Sequence, residues 1–266
     1  MKDDIQMLSK SLLEAMSQIL GVNLQSENYI KAYSVKIEKA FSDNPISQLT
    51  SNYILHNLRA KSLQESGQIF LGYSYGTNNA KATLQVSSNL QFYFLLSLAH
   101  AYELFEIYIK RLLKVIEKEY PEIRDRIKPS ELKKNCDPSV DNIQTKNNKA
   151  YFNLLRRIMP SLVDIETKNC WNTDIQQWYQ AFSNFRHSVT HGNALCHETK
   201  YLKYKKLTDQ FFPVKKHCED PDCKFWRFDI TYSNLNDNLT LIGDYTILLV
   251  EELNSYFEIE IDLKKL

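Results

Sequence analysis

The sequence predicts an all-α fold: a helical bundle with an N-terminal helical extension and a small β-hairpin insertion. Three observations carry this expectation. Apolar residues recur at intervals of three and four over long stretches, most clearly from Phe92 to Ile116. Six glycines and seven prolines are few for 266 residues, which favours long helices with short connections. Alternation of the strand type is clearest in one short region, near residues 209–232.

Taken in order, residues 3–20, "DDIQMLSKSLLEAMSQIL", have helical spacing, and Gly21 is placed to cap them. A second helix is expected over 26–41, opening at Ser26 beside an acid. Within 67–86, "GQIFLGYSYGTNNA" contains Gly72 and Gly76 and reads equally as a short strand or an irregular loop. It serves as a hinge between an extension of no assigned role, residues 1–87, and a main body, residues 88–266. The body opens on a seam of Phe92, Leu95, Leu98, Tyr102, Phe105, Ile109, Leu112 and Ile116, which Pro121 ends. Glu106 and Lys110, four apart, support that helix.

Residues 129–148 are polar, hold Pro129 and Pro138, and read as a loop. A helix over 149–158 follows, stopped by Pro160. The next begins near Thr173, with Ile175, Trp178, Phe182, Phe185 and Val189 as its buried stripe and Gly192 as its terminator. "DQFFPVKK" and "KFWRFDITY" form the expected hairpin, joined by "HCEDPDC". A last helix, 237–258, has Ile242, Tyr245, Leu249, Leu253 and Tyr256 as its seam.

Composition narrows the function classes. A hydrophobic fraction of 43% with 24% charged residues is ordinary for a globular protein. There is no run of 18 apolar residues, so no membrane span is expected. The start, "MKDDIQMLSK", places acids where a secretory signal has a basic and then an apolar region, so the expected location is cytoplasmic. Five irregularly spaced cysteines suit a reducing compartment.

The net charge of +1 excludes a polycation, but the charge is unevenly spread. Residues 196–216 hold six Lys/Arg against two Asp/Glu, and residues 108–134 nine against five. Residues 217–266 reverse the balance, four against eleven. Local basic patches can follow a nucleic-acid backbone while the total stays near neutral.

Chemistry concentrates in "NFRHSVTHGN", residues 184–193. Cleaving RNA without a metal needs a base for the 2′-hydroxyl, an acid for the leaving 5′-oxygen, and positive charge on the phosphate. Histidine serves either proton role near neutral pH, and arginine grips phosphate with paired donors. On a regular helix His187 and His191 share a face. Arg186 and His191, five apart, point about 140° away from each other. The length of the arginine side chain or fraying of the last turn before Gly192 could bring the two together. A second copy of the helix across a two-fold axis would serve better, pooling two arginines and two histidines. A helix C-terminus also favours protonated histidine, so plain capping electrostatics accounts for the same residues.

"RHSVTH" resembles the R-φ-x-x-x-H motif of the HEPN superfamily, with Arg186 as the motif arginine, His187 as the polar residue and His191 as the motif histidine. "LAHAYELFEIYIKRLL" is similar to the first long helix of that fold, with Glu103 near a position that several members keep polar. The resemblance covers roughly residues 88–260. It implies a HEPN-like bundle and a metal-independent endoribonuclease, with no cofactor and a composite site at a homodimer interface. It also implies a toxin or anti-phage role, with an antitoxin or other regulatory partner. In that reading His191 is the acid–base group, Arg186 the phosphate clamp and His187 an orienting or assisting group, with Glu103 and Asn184 in support. One family branch has a modified tyrosine two residues after the motif histidine; here that position is Asn193. Members that have lost catalysis act as binding modules, so a non-catalytic helical module binding RNA or protein is the alternative.

"KYLKYKK" follows the motif. Lys200, Lys203, Lys205 and Lys206 are candidates to hold phosphates, with Tyr201 and Tyr204 to stack on unpaired bases. The competing reading is a surface helix with tyrosines packed inward and lysines solvated. His197, His217, Cys218 and Cys223, with Cys196 nearby, invite a zinc reading, but the spacing matches no compact C-x-x-C knuckle, and an ordinary thiol-bearing loop is the favoured one. His100 reads as a core or interface histidine and His56 has no companions. No phosphate-binding glycine loop, G-x-S-x-G elbow or H-E-x-x-H is present.

Overall fold

The computed structural model describes residues 1–43, 47–56, 68–77, 79–126, 128, 149–220 and 222–266. The described residues are mostly helical, with eight α-helices and five strands. The polar loop expected at 129–148 lies outside them.

The chain divides into two compact units, one of residues 1–24 with 91–266 and a second of residues 25–90. The second unit contains strands β1 (Ser47–His56) and β2 (Gln68–Thr77), paired antiparallel from Ser47↔Thr77 to His56↔Gln68. Of the stretch that read equally as strand or loop, residues 68–77 are strand, while residues 79–86 are helical. Gly72 faces Asn52 and Gly76 faces Gln48 in the register.

Helix α1 (Lys2–Asp43) is continuous where two helices were expected. Gly21 does not cap it: its helical position borders open space, and glycine there costs only about 1 kcal/mol of helix propensity. In the first unit, Ile5, Leu12 and Met16 of α1 are buried. The Ser9 hydroxyl is hydrogen-bonded to that of Tyr108, 3.0 Å away, on helix α2 (Asn79–Glu119). Asn23 donates to Ser97 Oγ at 2.9 Å, again tying α1 to α2.

The core of the first unit is aromatic. From α2, Tyr102 and Phe105 pack on Trp178, Tyr179 and Phe182 of helix α5 (Ile175–His191). Phe152 of α3 (Lys149–Ile158) meets Tyr179 and also Tyr245 of α8 (Tyr232–Phe257). The seams read from spacing are buried except at their ends: Phe92 is 58% exposed, and Tyr256 and half-buried Val189 also escape full burial.

Buried polar groups join the helices. Trp178 Nε1 donates to Asn238 Oδ1 at 3.0 Å, and the Asn238 amide donates to the carbonyls of Phe211 and Asn234. Short helix α4 (Leu162–Thr167) buries Glu166, which accepts from Arg156 Nε and from Tyr245 Oη.

The hairpin is present, as β4 (Val214–Lys216) and β5 (Phe225–Phe228). A third strand, β3 (Leu195–His197), pairs antiparallel with β5, giving the order β3–β5–β4. Residues 209–211, expected within the insertion, instead end helix α7 (Lys205–Phe211), which follows α6 (Glu198–Lys203). The hairpin's connecting loop is closed by a Cys218–Cys223 disulfide, which corrects the expectation of a thiol-bearing loop. Helix α8 opens on a reciprocal capping box between Thr231 and Asn234, several residues earlier than the seam alone indicates.

Candidate functional site

Helix α5 begins with Asp174, whose carboxylate accepts from the Gln177 backbone N–H at 2.9 Å. Its apolar stripe then fixes the helix against α2 and leaves a polar ridge outward: Gln177, Gln180, Asn184, His187 and His191 fall at three- and four-residue steps.

The helix ends at Gly192, whose N–H and that of Ala194 both donate to Ser188 O at 2.9 Å. The reason for glycine is close approach, because a Cβ would lie 3.1 Å from Ser188 O. The left-handed residues that reverse the chain are Asn193 (φ 52°) and Ala194 (φ 61°). The reversal delivers the chain into β3 and α6, which brings the basic tract back beside α5.

Arg186 and His191 do diverge. Arg186 leans onto α2, where its Nε and Nη2 both donate to Glu103 Oε1, at 3.0 and 2.7 Å. His191 instead lies beside His187, ring centroids 5.0 Å apart, both rings exposed. Glu103, singled out by position in the long helix, is therefore in direct contact with the motif arginine. Two of the five guanidinium N–H donors are spent on it. The pair is partly open to solvent, with side chains 34% and 42% exposed.

The electrostatics correct one expectation. The helix C-terminus was expected to favour protonated imidazole, but His187 is shifted the other way, below the ordinary histidine range. Desolvation is the main cause, followed by the positive charges of Lys200, His191 and Arg186. A neutral imidazole can accept a proton, so a base role is chemically open to His187 as well as an orienting one.

The supporting candidates separate into those that face this ridge and those that do not. Asn184 donates back to Gln180 O at 3.1 Å, along its own helix. Lys200, Lys203, Lys205 and Lys206 are exposed, and Lys205 is paired with Asp209. Tyr204 is half-buried, with its hydroxyl 3.3 Å from Gln180 Oε1 on the ridge.

Tyr201 is only 7% exposed, packed 4.7 Å from the Trp226 ring with its hydroxyl donating to Asp209 at 3.0 Å. Its ring is core, not a platform for a base, so here the inward-packed reading of the tract holds. The reason lies in β5, whose Trp226 needs an apolar cover.

The cysteine and histidine candidates do not converge. Cys218 and Cys223 are bonded to each other, Cys196 is buried in β3, and His197 Nδ1 caps α6 by accepting from Thr199 N. His100 is exposed rather than core. Among the described residues no group of three or more His, Cys, Asp or Glu is placed to hold a metal ion. His56 lies in β1.

Two features of the site were not read from sequence. The first is the lowered proton affinity of His187, caused by desolvation first and then by the nearby charges, Lys200 among them, that the turn after α5 brings back. The second is an exposed stripe on α2: Phe92, Leu96, His100 and Ile107 share one helical face with Glu103, and Tyr93 adjoins them. The spacing carried that signal, since 92, 96, 100, 103 and 107 step by three and four.

No helix among the described residues is long and apolar enough to cross a membrane. Comparison with models of known families, with characterised proteins and with solved structures finds no match for the chain.

Proposed function

We propose that the chain is a metal-independent endoribonuclease of the HEPN type, working as a homodimer, with Arg186, His187 and His191 as its catalytic set. The observation that carries the reading is the treatment of the motif arginine. It is braced by Glu103 from another helix while the two histidines stand together, exposed, on the adjoining face of α5. A basic helix end that served capping alone needs no carboxylate from α2 to aim its guanidinium.

In this reaction the 2′-hydroxyl attacks phosphorus while a neutral histidine takes its proton. Arg186 neutralises the phosphoryl oxygens, and a protonated histidine gives its proton to the departing 5′-oxygen. The products are a 2′,3′-cyclic phosphate and a 5′-hydroxyl. His187, held toward its neutral form, suits the base, and His191 supplies the acid.

The divergence of Arg186 from His191 within one chain supports a site completed by a second copy. The apolar stripe of Phe92, Leu96 and Ile107 flanking Glu103 is a surface suited to that contact. A role as a toxin or anti-phage effector, held in check by an antitoxin or other regulator, belongs to the same proposal, as does action in the cytoplasm.

The test is cleavage of end-labelled RNA in EDTA by the full chain, beside Arg186→Ala and His191→Ala. Cleavage by the parent alone, leaving cyclic-phosphate ends, is expected. Equal cutting by all three, or 5′-phosphate products, overturns the assignment.

A second reading, a non-catalytic RNA-binding module, is favoured by the basic tract beside α5. Salt-sensitive RNA binding without any cleavage selects it.

A further inference from the structure

The lysines after the motif do not merely decorate the surface. Lys203, Lys205 and Lys206, with Tyr204, form one wall of a cleft of roughly 320 Å³ whose other wall includes Asp174 and Gln177, at the start of α5. The motif lies at the opposite end of the same helix. Gln177 and His191 are fourteen residues apart, about 21 Å along the axis.

The polar ridge of α5 connects them, with Gln180 meeting the Tyr204 hydroxyl midway and Lys200 close enough to His187 to lower its proton affinity. The Asp174 carboxylate keeps its negative charge, against which the lysine-lined cleft stays net positive, and is held by its own helix. One oxygen accepts from Gln177 N and the other from Gln177 Nε2 at 3.1 Å. Lys205 is neutralised by Asp209, which leaves Lys203, held 5.1 Å from the Tyr204 ring centroid, and Lys206 as the cleft's cations.

We infer that this cleft is a backbone-binding exosite for single-stranded RNA, remote from the scissile phosphate and joined to it along the α5 ridge. The inference rests on the ribonuclease reading for its polarity, since the strand runs from the cleft toward His191. A single strand suits the geometry because about 21 Å corresponds to about six stacked nucleotides. The half-buried Tyr204 and the amides of Gln177, Gln180 and Asn184 line the way with groups that meet exposed bases and sugars. The strand reaches the cleft only when it is longer than that span.

The experiment measures binding of fluorescein-labelled single-stranded RNA to the full chain carrying His191→Ala, so that the probe survives. Probes of about four and about twelve nucleotides bracket the span. With the longer probe, adding Lys203→Gln and Lys206→Gln is expected to lower the slope of log affinity against log salt by about 1.4, since each phosphate left without its lysine removes about 0.7. The arginine versions, Lys203→Arg with Lys206→Arg, restore it. With the shorter probe the slope does not change.

A long-probe slope indifferent to the two lysines overturns the exosite, as does an equal effect on both probes or failure to bind either. The two proposals fail separately. Absence of cleavage by the parent chain with the length-dependent slope intact removes the catalysis and keeps the cleft. Cleavage with an unaltered slope does the reverse.

Discussion

Removing the Glu103 side chain tests whether α2 aims the motif arginine. In Glu103→Ala, Arg186 loses the oxygen that now receives both its Nε and its Nη2. The cost to stability is small. Both side chains are more than a third exposed, or nearly so, which places the pair among surface ion pairs of about 0.2–1 kcal/mol. For a domain of this size that is a fall in Tm of at most about 4 °C.

Under the proposed ribonuclease reading the cost to cleavage is larger, because a misplacement of about 1 Å in a positioned group lowers rates by about 10²-fold. Glu103→Gln separates aiming from proton transfer. Its amide oxygen can occupy the place of Oε1 and accept both N–H groups, but it cannot carry a proton at neutral pH. Rates of RNA cleavage, followed with Tm by calorimetry, are expected to drop about a hundredfold in the alanine variant and to return within about tenfold in the glutamine one. Full activity in Glu103→Ala refutes the bracing argument. An equally dead Glu103→Gln assigns the carboxylate to proton handling instead.

Lys200→Ala removes one of the positive charges that hold His187 neutral, so its pKa is expected to rise toward the ordinary value while desolvation keeps it below. Proton NMR titration of the ring reads this directly, and the acidic limb of the cleavage profile should move up in pH with it. Because the folded state binds this proton less tightly than the unfolded chain, His187 also subtracts stability as pH falls below about 6.5, and less so in the variant. Leu96→Arg places charge in the middle of the exposed α2 stripe; if the proposed homodimer seats there, light scattering is expected to show a monomer for the variant against a dimer for the parent, and cleavage to be lost with it. Glu166→Ala strands the half-buried Arg156 cation beside Tyr245 and should cost about 3–5 kcal/mol in denaturant unfolding. A loss below about 1 kcal/mol there would mean water reaches Arg156 readily.

Long apolar seams were legible because each turn repeats the same instruction. Leu98 to Ile116 on α2 and Ile175 to Phe185 on α5 are buried as spacing requires. A single residue is a weaker guide to where an element ends. Gly21 read as a cap, yet nothing after it supplies a left-handed residue or a helix-breaking turn, and the helix continues to Asp43. Three-residue β3 was invisible because its pairing with β5 is decided some thirty positions downstream. The disulfide was missed for another reason: spacing cannot tell two thiols in a hairpin loop from a bonded pair.

At the site, the motif and Glu103 were readable as residue types, but their relation was not. Sequence spacing sets Arg186 and His191 apart, and the structure does so too, through an ion pair that pulls the arginine toward α2. That pull has a consequence for the proposed reaction. The Arg186 guanidinium is held on α2 beside Glu103, whereas the two histidines stand together on α5 near Lys200. Under the proposed reading, one chain therefore offers its phosphate clamp beside α2 and its acid–base pair on α5. A two-fold partner seated on the α2 stripe would bring the partner's clamp to this chain's histidines, leaving the α5 ridge of each copy open to guide its own strand. Heterodimers test this pooling: Arg186→Ala mixed with His191→Ala should regain cleavage that neither has alone, and a mixture that stays inactive would confine the site to one chain.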